Sequence, residues 1–249
     1  MHPIAIVTGG SSNIGWACVR RLAADHAVVI ADLRPPVNPL PAGAKFVQID
    51  VTDAAACQQL MADATGEFGL DILVHSAAIT APTRPIEQIP ADEWRRLIDV
   101  NLTGAFLIAQ AAIPALRLAR GKVAMIASRA GRTGYAALNA SPSGTKAHYA
   151  ASKAALLSLV KSLAIELAPD GVRVNAIVPG IDRRQHDSTR ALARTGRPHP
   201  PWSAGNTRRN CRRGGLPVFR RRTLHHRPCD GCQRRHMDEL TFSVYHPPA

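Results

Sequence analysis

Tyr149 and Lys153 stand four residues apart in an apolar run that reads as a helix to about Ala168, so their side chains share one helix face. A phenol titrates near ~10 and is a poor base at neutral pH, but an adjacent ammonium favours the phenolate. Bringing it to ~7 takes roughly three units, about 4 kcal/mol of differential stabilisation. A tyrosine tuned in this way exchanges protons with an alcohol or a carbonyl. Alone the pair is a weak signal, because the same spacing arises on ordinary solvated helix faces.

A second group of residues points to a dinucleotide. The apolar residues 4–7 run into Thr8-Gly9-Gly10-Ser11-Ser12-Asn13-Ile14-Gly15, and an amphipathic helix follows over about residues 14–24. Strand, glycine-rich turn and helix bring backbone N–H groups close to a pyrophosphate at a helix N-terminus. The next apolar run, residues 27–31, ends in Asp32, where an acid can hold the adenosine ribose hydroxyls of NAD and repel a 2′-phosphate. Arg34 softens that exclusion of NADP. A plain strand–helix–strand unit with Asp32 as a solvated turn residue is the bland alternative.

The elements that must position these residues alternate. Residues 46–49 read as a strand ending in Asp50-Val51, with Thr52 as N-cap of a helix over about residues 53–68. Residues 72–75 form a fourth strand. A long helix over about residues 91–119 carries Asn101 and is interrupted near Pro114. Residues 122–128 and 172–178 are strands on either side of the Tyr149 helix. This order predicts an α/β fold, a Rossmann-like doubly wound parallel sheet. Its ligand crevice lies at the carboxyl ends of the strands, where Gly9, Asp32, Asp50, His75 and Ser128 fall.

In this order, Thr8-Gly9 to Gly15, Asp32, Asp50-Val51, Asn101, Ser128, Tyr149-x-x-x-Lys153 and Asn175-Ala176-Ile177-Val178-Pro179-Gly180 resemble the short-chain dehydrogenase/reductase family of the classical type, over residues 4–180. The resemblance implies an NAD(P)-dependent oxidoreductase interconverting a secondary alcohol and a ketone by hydride transfer. It implies that Tyr149 exchanges a proton with the substrate oxygen, and that Lys153 holds the nicotinamide ribose and lowers the Tyr149 pKa. Ser128 would bond the substrate oxygen, and Asn101 would support a relay water near Lys153. Gly9, Ser11, Asn13, Ile14 and Gly15 would cradle the cofactor, Asp50 and Val51 flank the adenine, Ala77 line the site, and Pro179 and Gly180 face the nicotinamide. The bland alternatives are a capping Ser128, an Asn101 that satisfies helix backbone, and a surface Tyr149. The resemblance also implies a homo-oligomer.

Three departures fall inside that stretch. Asn13 replaces the middle glycine of the turn, and asparagine tolerates left-handed backbone. His75-Ser76-Ala77-Ala78 replaces Asn-Asn-Ala-Gly after the fourth strand; His75 is read as structural, and Ala78 adds a methyl where the cofactor packs. Twenty residues separate Ser128 from Tyr149, where the family has about a dozen. The surplus around residues 139–146 has loop composition. It is expected to bulge at the mouth of the site and affect substrate choice, or else to misplace Ser128.

The net charge of +13 is unevenly spread. Residues 1–180 hold 16 Lys+Arg against 13 Asp+Glu; residues 181–249 hold 15, all arginine, against 5. Two regions are therefore expected: a dinucleotide-binding catalytic domain over 1–180, and an Arg/Pro-rich tail over 181–249 that is disordered and lacks the family's final strand and substrate lid. A nucleic-acid arm would use such arginines. Zinc would need a framework around Cys229, Cys232, Cys211, His225, His226 and His236, and no repeated ligand spacing supplies one. No metal site and no nucleic-acid partner are expected.

A third reading of the tail is a frameshift near Gly180. Read one base later, residues 181–187, 209–215 and 224–236 permit, in order, strings resembling the family's C-terminal motifs. The alternative function is then a catalytically impaired dinucleotide-binding relic with a frameshifted basic tail. Without an apolar run of ~18 residues or a signal-peptide pattern, the chain is expected to be cytoplasmic, with no membrane partner. Five scattered cysteines argue against a disulfide framework.

Overall fold

Six short apolar runs build one parallel sheet in the computed structural model, which describes residues 3–135 and 144–180. The strands are β1 (Ile4–Thr8), β2 (Ala27–Asp32), β3 (Ala44–Gln48), β4 (Ile72–His75), β5 (Lys122–Ile126) and β6 (Arg173–Ile177), in the spatial order β3-β2-β1-β4-β5-β6. The order reverses between β1 and β4, and in such sheets the crevice beyond the strand ends at that point takes the ligand. The doubly wound α/β architecture expected from the sequence is the one observed. The expectations for residues 181–249, including the missing strand and lid, the cysteine and histidine cluster and the arginine runs, lie outside the described residues.

The strands alternate between two covered faces, as period-2 side chains must. Ile6, Val29, Leu73 and Met125 point to one side, against α2 (Ala54–Thr65), α4 (Gly104–Ala119) and α6 (Ala147–Leu167). Ala5, Val7, Val28, Ile30 and Val74 point to the other, with Val19 of α1 (Asn13–Leu22). Each fully buried aliphatic side chain contributes about 1.5–3 kcal/mol, so the sheet holds its ends rigidly where the site is built.

Two local expectations are corrected. The N-cap of α2 is Asp53, whose Oδ1 accepts from Ala55 N at 2.9 Å and Ala56 N at 3.1 Å. Thr52 is instead held by Asp50, which accepts from both its N–H and its hydroxyl. The helix over residues 91–119 is not broken at Pro114, which lies inside α4. The break is a wider π turn at Asp99–Thr103, between α3 (Ala91–Ile98) and α4. Contrary to the expectation that no apolar run reaches about 18 residues, the helical run Ala91–Ala119 contains an 18-residue window apolar enough, by length and composition, to cross a membrane. Here its face of Ala105, Ile108, Ala112 and Leu116 is buried against the sheet.

Candidate active site

The glycine-rich turn after β1 closes on the loop after β4. Gly9 has φ +63°, and a Cβ there would come 2.5 Å from Ala77 N. A Cβ on Gly15 would collide with the Gly9 carbonyl oxygen. Both positions therefore exclude any side chain. Asn13 adopts φ +48°, the left-handed backbone its side chain tolerates in place of glycine. Helix α1 starts there with no side-chain cap on its first-turn N–H groups, and Ser11 Oγ is buried with no partner. Such a start offers donors to an anion.

A cleft of about 630 Å³ opens over this turn. Of the residues expected to hold a cofactor, Gly9, Asn13, Asp32, Asp50, Val51 and Ala77 line it. Asp32, at the end of β2, accepts from Ser11 N at 3.1 Å and Arg34 N at 3.3 Å, so it also braces the turn. Ala78 lies on the wall, and Arg34, Arg95 and Arg96 add three guanidinium groups, two of them from α3 and not anticipated. Ile14, in the first turn of α1, is partly buried against the core, and Gly15 packs under Gly9. Pro179 and Gly180 follow β6; the Pro179 carbonyl accepts from Arg129 N at 3.1 Å, next to Ser128.

The expected proton-exchanging residues gather beyond the ends of β4 and β5. Tyr149 lies on the first turn of α6. Burial pushes its phenol up, a hydrogen bond from Ser128 pulls it back, and the neighbouring Tyr135 pushes it up again. Of the long segment between Ser128 and Tyr149, residues 136–143 lie outside the described residues. The serine hydroxyl also accepts from Ala130 N at 3.1 Å, as a cap would.

Lys153 is 2% exposed and its Nζ donates to the Ile126 carbonyl at 2.8 Å. Burial lowers its pKa to about 8. The ammonium sits 6.0 Å from the Tyr149 ring centroid. The expected lowering of the phenol by Lys153 is thus not what this geometry produces: the ammonium is turned to a backbone oxygen and desolvation dominates at Tyr149.

Asn101 is fully buried at the centre of the π turn. Its Oδ1 accepts from Ile79 N at 2.8 Å, and its Nδ2 donates to Ile79 O at 3.0 Å and to Ser152 Oγ at 3.1 Å. Ser152 Oγ in turn donates to the Tyr149 carbonyl at 2.9 Å. Asn101 therefore does satisfy backbone, as the bland alternative had it, and through Ser152 it also reaches the turn that carries Tyr149. Ser152 was not anticipated; its polarity at i+3 from Tyr149 inside an apolar run was the available signal. His75 is structural, 1% exposed and bonded to Thr8 Oγ1 at 2.8 Å.

With this geometry in view, the chain was compared with known proteins. A sequence model described as short chain dehydrogenase matches residues 3–191. A cis-4-hydroxycyclohexanecarboxylate dehydrogenase of Sinomonas cyclohexanicum is 36% identical over 187 residues, 71% of this chain and 72% of that protein. A galactitol 2-dehydrogenase of Agrobacterium fabrum is 36% identical over 194 residues, 74% of this chain and 72% of the other. The crystal structure of gox2181 superposes with a TM-score of 0.62 at 33% identity, over 72% of this chain and 71% of that one.

Proposed function

This chain belongs to the short-chain dehydrogenase/reductase family, whose oxidoreductases act on alcohols and ketones with a nicotinamide dinucleotide, and we propose that Tyr149, Ser128, Lys153 and Asn101 are its working residues. The observation that carries the reading is the buried Lys153 one helical turn beyond Tyr149, its ammonium 6.0 Å from the phenol ring centroid, with Ser128 acting on the same phenol. The names of the two dehydrogenases support an alcohol as substrate.

The residues present fit the dinucleotide. Gly9 and Gly15 leave room only for backbone, and the orphaned Ser11 hydroxyl lacks an acceptor that a phosphate would provide. Asp32 would hold the adenosine ribose and favour NAD over NADP, while Asp50 and Val51 would flank the adenine. When bound, the nicotinamide accepts or gives the hydride, so that secondary alcohol plus oxidised dinucleotide becomes ketone plus reduced dinucleotide and a proton.

Tyr149 exchanges that proton with the substrate oxygen. A phenol raised by burial stays protonated at neutral pH, which suits donation to a carbonyl. Ser128 donates a second hydrogen bond to the same oxygen and fixes its position. Lys153 carries a charge on a depressed pKa and so can shed or take a proton near pH 8. Asn101 holds the first turn of α6 in place through Ser152.

A screen of secondary alcohols with NAD and NADP, followed by absorbance at 340 nm, tests the proposal. Reduction of either dinucleotide supports it; binding of both without reduction by any alcohol contradicts it. One observation favours a second reading, a dinucleotide-binding module without turnover: Lys153 is engaged by Ile126 and leaves the phenol unassisted. The tail over 181–249, read as frameshifted, belongs to that alternative. Resequencing from the Val178 codon onward tests that part.

A further inference from the structure

We propose that Lys146 makes this site selective for secondary alcohols and ketones that bear a carboxylate. The inference rests on the reading of Tyr149 as the proton-exchanging residue. Lys146 is the N-cap residue of α6, just before the first turn that carries Tyr149. Its Nζ donates to Thr80 Oγ1 at 3.2 Å and lies 5.4 Å from the centroid of the Tyr135 ring. Tyr135 is close enough to Tyr149 for its charge to act on the Tyr149 phenol. Lys146 and Tyr149 are therefore both neighbours of Tyr135.

An ammonium has three donors, and Thr80 takes one. Among the described residues no carboxylate pairs with Lys146. Residues 136–143, which lead into this turn, contain no Asp or Glu. A half-buried cation with donors left over beside a reactive phenol is the complement of an anion on the substrate. A carboxylate matches it best, because charge-assisted N–H···O bonds are short and strong in such surroundings.

The lysine is held in place, which separates it from an ordinary surface lysine. On its N-terminal side Thr145 and Arg84 exchange both backbone hydrogen bonds, at 2.9 and 3.0 Å. A Cβ on Gly144 would overlap the Arg84 backbone, so the strap admits only glycine there. On its C-terminal side His148 is fully buried and bonded to Glu93 Oε1 at 3.1 Å. Glu93 Oε2 is paired with Arg84 Nη2 at 3.3 Å. Arg84 thus grips the chain on both sides of Lys146, through its backbone before and its side chain after. The backbone that carries the ammonium is thus anchored on both sides, so Lys146 can discriminate where along a substrate the carboxylate stands.

The test uses matched probes: 3-hydroxybutyrate and 3-hydroxycyclohexanecarboxylate, each beside its methyl ester, oxidised with NAD by the full chain. The expected result is a kcat/KM for at least one acid tenfold or more above that of its ester. That ratio falls at least tenfold in Lys146→Met and is kept in Lys146→Arg. Acid and ester turned over alike, or a ratio that Lys146→Met leaves unmoved, would overturn the proposal. If no probe is oxidised, the wider alcohol screen decides on the enzymatic reading, and calorimetry with cyclohexanecarboxylate decides on Lys146. Binding at least tenfold weaker in Lys146→Met supports the anion site; equal affinity, or none in the unaltered chain, refutes it.

Discussion

Thr8 and His75 meet across the neighbouring strands β1 and β4, their side chains joined by a buried 2.8 Å hydrogen bond directly beneath the glycine-rich turn. Burial, with a smaller push from the Lys153 charge, lowers the imidazole to about 3. An unfolded histidine titrates near ~6.5. Between those values the unfolded chain binds the extra proton, so stability is full above pH ~6.5 and is lost as pH falls towards 3, by up to about 1.4 kcal/mol per unit. Replacing His75 by Asn removes the titration. Melting temperature measured from pH 7 to pH 4 should fall less in His75→Asn than in the parent chain; parallel curves would contradict this account.

Asn101 makes three hydrogen bonds from a fully buried site. Asn101→Ala leaves Ile79 N, Ile79 O and Ser152 without those partners, at about 1–3 kcal/mol for a buried unsatisfied group. Chemical denaturation should show a loss of that size or more. Hydrogen exchange at the amides of Ile79 should also accelerate. A variant as stable as the parent would mean that water replaces the amide.

Gly9 and Asn13 both have left-handed backbone, yet their substitutions should differ. Gly9→Ala places a methyl against Ala77 N and adds roughly 1–2 kcal/mol of backbone strain. Its dinucleotide affinity should fall more than tenfold, with a lower melting temperature. Asn13→Gly relieves a residue held at φ +48° and should leave both quantities within error or improved. Equal losses in the two variants would show that the close approach at Gly9 is not what matters.

In the proposed site Asp32 would set the cofactor through charge. Removing it in Asp32→Ala takes a carboxylate from the adenosine end of the cleft and leaves Arg34, Arg95 and Arg96 facing it. The ratio of the NADP to the NAD dissociation constant should drop at least tenfold. An unchanged ratio, read from fluorescence titrations of both reduced dinucleotides, would mean that the arginines already dominate.

The sheet is legible from the chain because β1, β2 and β4 are short apolar runs ending in a polar residue at the crevice, and helical runs alternate with the strands. Gly9, Asp32, Ser128 and Tyr149 are legible for the same reason: strand ends and the first turn of a helix put them at one edge. The π turn is not, since Ile98, Asn101 and Ala105 keep an ordinary helical spacing, and the buried partners of Asn101, Ile79 and Ser152, are distant in sequence. Thr52 and Asp53 both carry oxygens able to cap α2, and the choice depends on Asp50 having already taken Thr52. The direction of the Lys153 ammonium is equally hidden, because its partner is a main-chain carbonyl 27 residues away that leaves no mark on residue types.

Turnover by Tyr149→Phe tests the account most directly. With the best alcohol from the screen and a saturating dinucleotide, the parent chain should reduce the dinucleotide, and the variant should be slower by about 10²–10⁴, the usual contribution of a general acid or base. Its dinucleotide dissociation constant should stay within twofold, because the phenol is not part of the glycine-rich cradle. A variant that turns over at the rate of the parent would show that Tyr149 does not exchange the proton, and the reading of the site would fall with it.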